Sequence, residues 1–192
     1  MPTWLEAQRR AEIVAVGAAL AREGLIRGRE GNISCRLADD RLLITPRGAD
    51  KGRLHASDLV LCTASAPPPA SASSEALLHL EVYRHCPQVL AIVHAHPPYV
   101  LALESRGALP DAGGMPEAEA LLGHVGRVPL LPPASAELAD ACAQVLRRTR
   151  VAVLARHGLV AGGADPWDAL ARVEVAELAA RVTLARPNGS RA

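Results

Sequence analysis

His94-Ala95-His96 is the most chemically loaded stretch of this sequence. It follows the apolar, β-branched run Val89–Val93, and in an extended chain residues i and i+2 project to the same face. Two imidazoles side by side at the mouth of a sheet can share one metal ion; the same pattern also arises as two surface histidines. A third histidine, His157, follows another apolar run, Val151–Leu154, and precedes Gly158. If the two strands are neighbours and run the same way, His157 arrives beside the pair. Three histidines leave one coordination position open, the arrangement of a catalytic rather than a closed structural zinc site. His55, His79, His85 and His124 have no such placement and read as surface residues or as support behind a site.

Ser73-Ser74-Glu75 is the second constellation. Hydroxyls and free backbone N–H groups at a helix start favour an anion, and they also describe an ordinary helix cap. Two further loops share this character. Gly28-Arg29-Glu30-Gly31-Asn32-Ile33-Ser34 precedes a strand and Thr45-Pro46-Arg47-Gly48 follows one. Backbone amides in such loops approach phosphate oxygens closely, with Arg47 as a candidate counter-charge. No G-x-G-x-x-G or P-loop pattern occurs, so a nucleotide is not the natural ligand. The chain has one lysine, Lys51, against twenty arginines. Schiff-base chemistry therefore has one candidate. Its setting, Asp50-Lys51-Gly52-Arg53, reads as a solvated side chain.

The elements that must position these residues alternate between α and β. Thr3 to Glu6 forms a capping-box pattern ahead of a helix that runs past Leu20 and stops at Gly24. Cys35–Leu37 and Arg41–Ile44 flank Ala38-Asp39-Asp40 as a hairpin, and Leu59–Cys62 is a short strand. Ser65 to Ser74 is a proline- and serine-rich loop. The sequence predicts helices over Glu75–Cys86, capped by Ser73 or Ser74, over Glu117–Leu122, and over Ser135–Arg147, capped by Ser135. A last helix begins at Asp165-Pro166 and runs to about Arg186, where Pro187 stops it.

Composition bounds the rest. The chain has 192 residues, 49% of them hydrophobic, with 21 basic against 20 acidic side chains. That is one compact domain, 1–186, followed by a short tail, 187–192. A net charge of +1 and an aromatic content of 2% argue against nucleic-acid binding and against a membrane surface. No run approaches a membrane span and no secretory segment leads the chain. Cys35, Cys62, Cys86 and Cys142 are widely spaced and read as reduced core thiols of a cytoplasmic protein.

Five motifs in one order carry a resemblance: Gly31-Asn32-Ile33-Ser34, Leu43-Ile44-Thr45-Pro46-Arg47-Gly48, Ser73-Ser74-Glu75, Val93-His94-Ala95-His96-Pro97 and Leu154-Ala155-Arg156-His157-Gly158. With them the sequence resembles the class II aldolase/adducin head family, from about residue 5 to residue 185. The resemblance implies a single three-layer α/β/α domain with a mainly antiparallel central sheet, so the two histidine strands need only be adjacent. It implies His94, His96 and His157 as ligands of Zn2+ or another divalent metal, and Glu75 as the catalytic acid/base. Asn32, Thr45, Gly48, Ser73 and Ser74 fall in the segments that hold a substrate phosphate, and Asn32 also reaches the enediolate oxygens. It further implies a homotetramer with active sites between subunits.

The implied function is a zinc-dependent lyase that cleaves a small phosphorylated ketose or keto-acid through a metal-stabilised enediolate. Desolvation is expected to raise the Glu75 pKa towards neutrality and suit it to proton transfer. The same site also serves sugar-phosphate epimerases, decarboxylases and methylthioribulose-phosphate dehydratases. An adducin-like interaction domain without catalysis is the alternative from another class. The sequence departs from the family in its tyrosines: Tyr83 and Tyr99 match none of the positions that usually donate a proton.

Overall fold

The computed structural model describes residues 3–37 and 40–186. The hairpin tip at Ala38 and Asp39 and the tail 187–192 lie outside them. Helix α1 (Trp4–Arg22) opens with the Thr3 hydroxyl accepting from the Glu6 amide at 3.2 Å. Such a cap contributes about 1 kcal/mol. Glu6 does not close the expected capping box; its carboxylate pairs with Arg10 one turn on. Gly24, with φ +70, ends the segment as anticipated.

Seven strands follow: β1 (Asn32–Arg36), β2 (Arg41–Ile44), β3 (Val60–Thr63), β4 (Ala91–Ala95), β5 (Val125–Val128), β6 (Val151–Leu154) and β7 (Gly158–Gly163). They form one sheet in the order β3-β2-β1-β4-β7-β6-β5, antiparallel throughout except for the β5–β6 pair. The expected hairpin is present, with Ser34 opposite Ile44. The remaining helices are α2 (Ala76–His85), α3 (Pro98–Glu104), α4 (Pro116–Leu122), α5 (Ala136–Leu146) and α6 (Pro166–Ala185).

Strand alternation sorts the core into two layers. Ile33, Cys35, Val93, Val153 and Leu159 face α1, α3, α4 and α6. Leu42, Ile44, Ile92, Leu154 and Val160 face α2 and α5. The architecture is therefore α/β/α, as the resemblance implied. The four cysteines are buried and unbonded to one another. No helix among the described residues is long and apolar enough to cross a membrane.

Two strands and one helix differ from the sequence reading, each for a physical reason. β7 carries three glycines in six residues, which lowers its strand propensity. β5 is a four-residue edge strand with a glycine inside it. α3 begins at a proline pair that reads as a turn, and its cap comes from far away. The Glu177 carboxylate on α6 accepts from the Tyr99 and Val100 amides at 3.0 Å. Lys51 is also not solvated. Its side chain is buried, and its ammonium donates to the carbonyls of Arg29 at 2.6 Å and Ala49 at 2.8 Å. The single lysine thus ties together the two glycine loops.

Candidate active site

The histidines come together by a route the sequence did not show. His94 lies inside β4 and His96 just beyond its end. β6 is not the neighbour of β4; β7 runs between them, antiparallel to both. His157 sits in the tight turn from β6 into β7, so that turn delivers it to the end of β4. A close approach beside His94 makes room. Gly31 has φ +67, and a Cβ there would stand 2.5 Å from the His94 carbonyl oxygen. The turn itself is held by Glu104 at the end of α3, which accepts from the Arg156 amide at 3.1 Å and pairs with Arg127. Arg156 keeps φ +56, an unusual conformation for a residue with a side chain.

One ligand atom from each of His94, His96 and His157 can be chosen so that all three lie within 4.8 Å of one another. His94 Nδ1 donates to the Leu159 carbonyl at 3.0 Å, which leaves its Nε2 bare and aimed inward. That Nε2 is 3.2 Å from His96 Nε2. Two imidazole nitrogens bound to one tetrahedral zinc at about 2.0–2.1 Å stand roughly 3.3 Å apart. Glu75 closes the group: Oε2 is 3.2 Å from His94 Nε2, and Oε1 is 3.5 Å from His157 Nε2. Glu75 Oε1 and His157 Nδ1 are buried with no hydrogen-bond partner among the described residues. Convergent nitrogens and an orphaned carboxylate oxygen fit a divalent cation at this point.

Glu75 occupies the N-cap position of α2, where the helix start favours negative charge. Neither serine caps α2 in the expected way; Ser73 accepts from the Glu75 amide at 3.3 Å, one step before the helix. Burial pushes the Glu75 carboxyl up. His94, His157 and the Asn32 amide outweigh that and hold it well below the usual carboxylate range. This corrects the expectation of a carboxyl raised towards neutrality, because burial arrives together with three stabilising partners. His96 is a histidine held neutral: burial and its two imidazole neighbours push it down to about 4.

A cavity of about 230 Å³ opens over this group. Asn32, Gly48, Ser73, Ser74 and Glu75 line it together with His96 and His157, and Lys51 is in its wall. Thr45 is not in the lining. It is fully buried behind the wall, where its hydroxyl accepts from the Ile33 amide at 3.2 Å. Arg47 is exposed and outside the lining, while Arg29 is part of it. A larger open groove of about 840 Å³ runs along α5, past Asp140 and Gln144, and none of His94, His96 and His157 lines it.

Two residues of this region were left without a definite place by the sequence. Lys51 stands out in the sequence as the only lysine, yet its polar neighbours read as solvated, and the structure puts it in the cavity wall. His79, grouped with histidines lacking a placement, is fully buried and bonded to Asn32, whereas His55, His85 and His124 are exposed. Its signal was available: Glu75, His79 and Tyr83 recur every four residues, which is one stripe of a helix.

The fold and the assembled site define a family. Residues 11–184 match the Class II Aldolase and Adducin N-terminal domain. The chain belongs to that family. It is 33% identical over 183 residues to the 3-oxo-tetronate 4-phosphate decarboxylase of Pectobacterium atrosepticum, covering 92% of this chain and 84% of the relative. It is 33% identical over 188 residues to the methylthioribulose-1-phosphate dehydratase of Gluconobacter oxydans, covering 91% and 90%. Among solved structures, l-fuculose-1-phosphate aldolase from Thermus thermophilus superposes with a TM-score of 0.87 at 31% identity, covering 94% of this chain and 98% of that one.

Proposed function

We propose that this protein is a divalent-metal-dependent lyase that breaks a carbon–carbon bond beside a carbonyl in a small phosphorylated ketose or keto-acid. The observation that carries this reading is the meeting of three imidazoles and Glu75 at one point under a cavity lined by helix-start and loop amides. In this reading His94, His96 and His157 hold the metal, zinc being the favoured ion for three imidazoles with an open position. The bound ion supplies Lewis-acid polarisation of a substrate carbonyl.

The chain's own residues do the remaining work. The amides around Gly48 and Ser73-Ser74 hold the phosphate, which fixes the reacting carbons under Glu75. Glu75 moves the proton at the reacting carbon. Its low pKa suits the resting state, in which its charge faces the metal site; a substrate that displaces it from the histidines removes what held the pKa down. Asn32 orients it through the 2.9 Å bond from its amide to Oε2.

Two reactions of this class ask different things of the protein. Retro-aldol cleavage needs a base for the hydroxyl that becomes the aldehyde carbonyl and an acid for the carbon left behind. Loss of carbon dioxide from a phosphorylated keto-acid needs only the acid. The decarboxylase relative, aligned over most of both chains, favours the second. Incubating the zinc-loaded protein with 3-oxo-tetronate 4-phosphate, fuculose 1-phosphate and methylthioribulose 1-phosphate separates the readings by product: carbon dioxide, an aldehyde, or a dehydrated ketone. Turnover of none of them contradicts the lyase reading and favours a non-catalytic interaction domain.

We take the protein to be cytoplasmic and homotetrameric, with 1–186 as one domain. The single sheet from Asn32 to Gly163 supports the domain, and exposed apolar side chains such as Trp4, Leu130 and Leu178 support assembly.

A further inference from the structure

Behind Glu75 runs an unbroken chain of hydrogen bonds that starts at Asn32 in the cavity wall and leads away from the cavity. Asn32 Nδ2 donates to Glu75 Oε2 at 2.9 Å, and the Asn32 carbonyl oxygen faces His79 Nε2. His79 Nδ1 lies 2.6 Å from Ser34 Oγ, which lies 2.7 Å from the Tyr83 hydroxyl. Asn32 is 4% exposed, Tyr83 2%, and Ser34 and His79 0%. The chain stitches one strand to one helix. Asn32 and Ser34 alternate onto the α2-facing side of β1, and Glu75, His79 and Tyr83 form one stripe of α2.

Chemistry fixes the direction of every bond. The Glu75 carboxylate only accepts, so the Asn32 amide must turn its NH2 that way and its oxygen towards His79. The His79 Nε2 must therefore carry a proton. Full burial keeps the ring neutral, so Nδ1 is bare and accepts from Ser34. The single Ser34 proton is then spent, and the Tyr83 hydroxyl donates to Ser34. All four donors point towards Glu75. An amide passes no proton without changing its bonding, so this chain orients Glu75 and does not conduct protons to it.

We propose that His79 is a positioning residue: through the Asn32 amide it holds the Glu75 carboxylate at the metal site, with Ser34 and Tyr83 fixing its tautomer. The proposal rests on Glu75 being the proton-handling group of the lyase reading. Reversing the imidazole would present Nδ1–H to Ser34 and a bare Nε2 to the Asn32 oxygen, two acceptors face to face. Asn32 would then flip, and its oxygen would face Glu75. Support of this kind for a metal-site group is typically worth about 10–100-fold in affinity or activity.

The test has two arms. Ring-15N-labelled histidine in the wild-type protein reads the His79 tautomer at neutral pH without any substrate; a proton on Nε2 and none on Nδ1 is expected, and a proton on Nδ1 or on both overturns the chain. The second arm compares His79→Leu with His79→Gln, whose amide can restore a donor to Asn32. Both variants should keep wild-type zinc content and a wild-type KM, while kcat falls about 10–100-fold in His79→Leu and largely recovers in His79→Gln. Equal kcat in His79→Leu and wild type, or equal loss in both variants at unchanged zinc and melting temperature, overturns the proposal. If no substrate is turned over by the wild type, the lyase reading fails, and the tautomer still decides whether the chain exists as described.

Discussion

Gly158 and His96 face one another so closely that no side chain fits between them. A Cβ on Gly158 would stand 2.7 Å from His96 Cδ2 and 2.5 Å from the Ala95 carbonyl oxygen. The glycine is what lets the β6–β7 turn carry His157 up against the end of β4. Gly158→Ala should therefore push β7 away from β4, costing about 1–3 kcal/mol of stability and at least about tenfold in zinc affinity. Calorimetry and a competitive metal titration check this. Unchanged melting and affinity would show that the turn has slack.

Glu75→Gln separates metal binding from proton transfer. The variant keeps the three imidazoles and the size of the side chain but loses the carboxylate proposed to move a proton. Zinc content should stay at the wild-type level while kcat drops by about 10²–10⁴-fold. Near-normal turnover would reduce Glu75 to the residue that starts α2.

Glu104 tests whether the His157 turn is held from outside. Its buried carboxylate accepts from the Arg156 amide and pairs with Arg127. Glu104→Ala leaves that amide without its partner, and the destabilisation should be about 1–3 kcal/mol. Zinc affinity should weaken as Arg156 relaxes from its positive φ. Wild-type metal affinity in Glu104→Ala would assign the turn's geometry to the β6–β7 pairing alone.

The histidines also set a pH dependence. Burial holds His79 down to about 3, and burial with two imidazole neighbours holds His96 down to about 4. In the unfolded chain both titrate near the ordinary value of about 6.5. Between about pH 6.5 and about pH 4 the unfolded state therefore binds more protons, and stability falls as pH falls. The depressed Glu75 carboxyl acts in the same direction at lower pH, where its unfolded form protonates first. The metal-free protein should thus melt at a lower temperature at about pH 5 than at about pH 7.5. A flat profile across that window would mean that these rings are not held neutral.

Most of the site was legible before the fold, because its chemistry is concentrated in short motifs. His94, His96 and His157 could be picked by type and spacing and Glu75 through the family resemblance, and the structure brings all four together. The route was not legible. β7 hides behind three glycines that are present for close packing, so the sequence put the wrong strand next to β4. Lys51 looked solvated because its neighbours are polar, yet it is held by two backbone carbonyls, one of them from a loop distant in sequence. The α3 cap, supplied by Glu177, fails to register for the same reason. The direction of the Glu75 shift needed the partners as well as the burial. Local patterns report periodicity and capping; they do not report which loops meet.

The most direct test of the account is the metal content of the untreated purified protein, measured by elemental analysis beside His157→Ala. The account predicts about one zinc or other divalent ion per chain in the wild type, and its loss in the variant. A wild type without metal even after zinc is supplied, or a His157→Ala variant that keeps it in full, would contradict the three-histidine site and the function built on it.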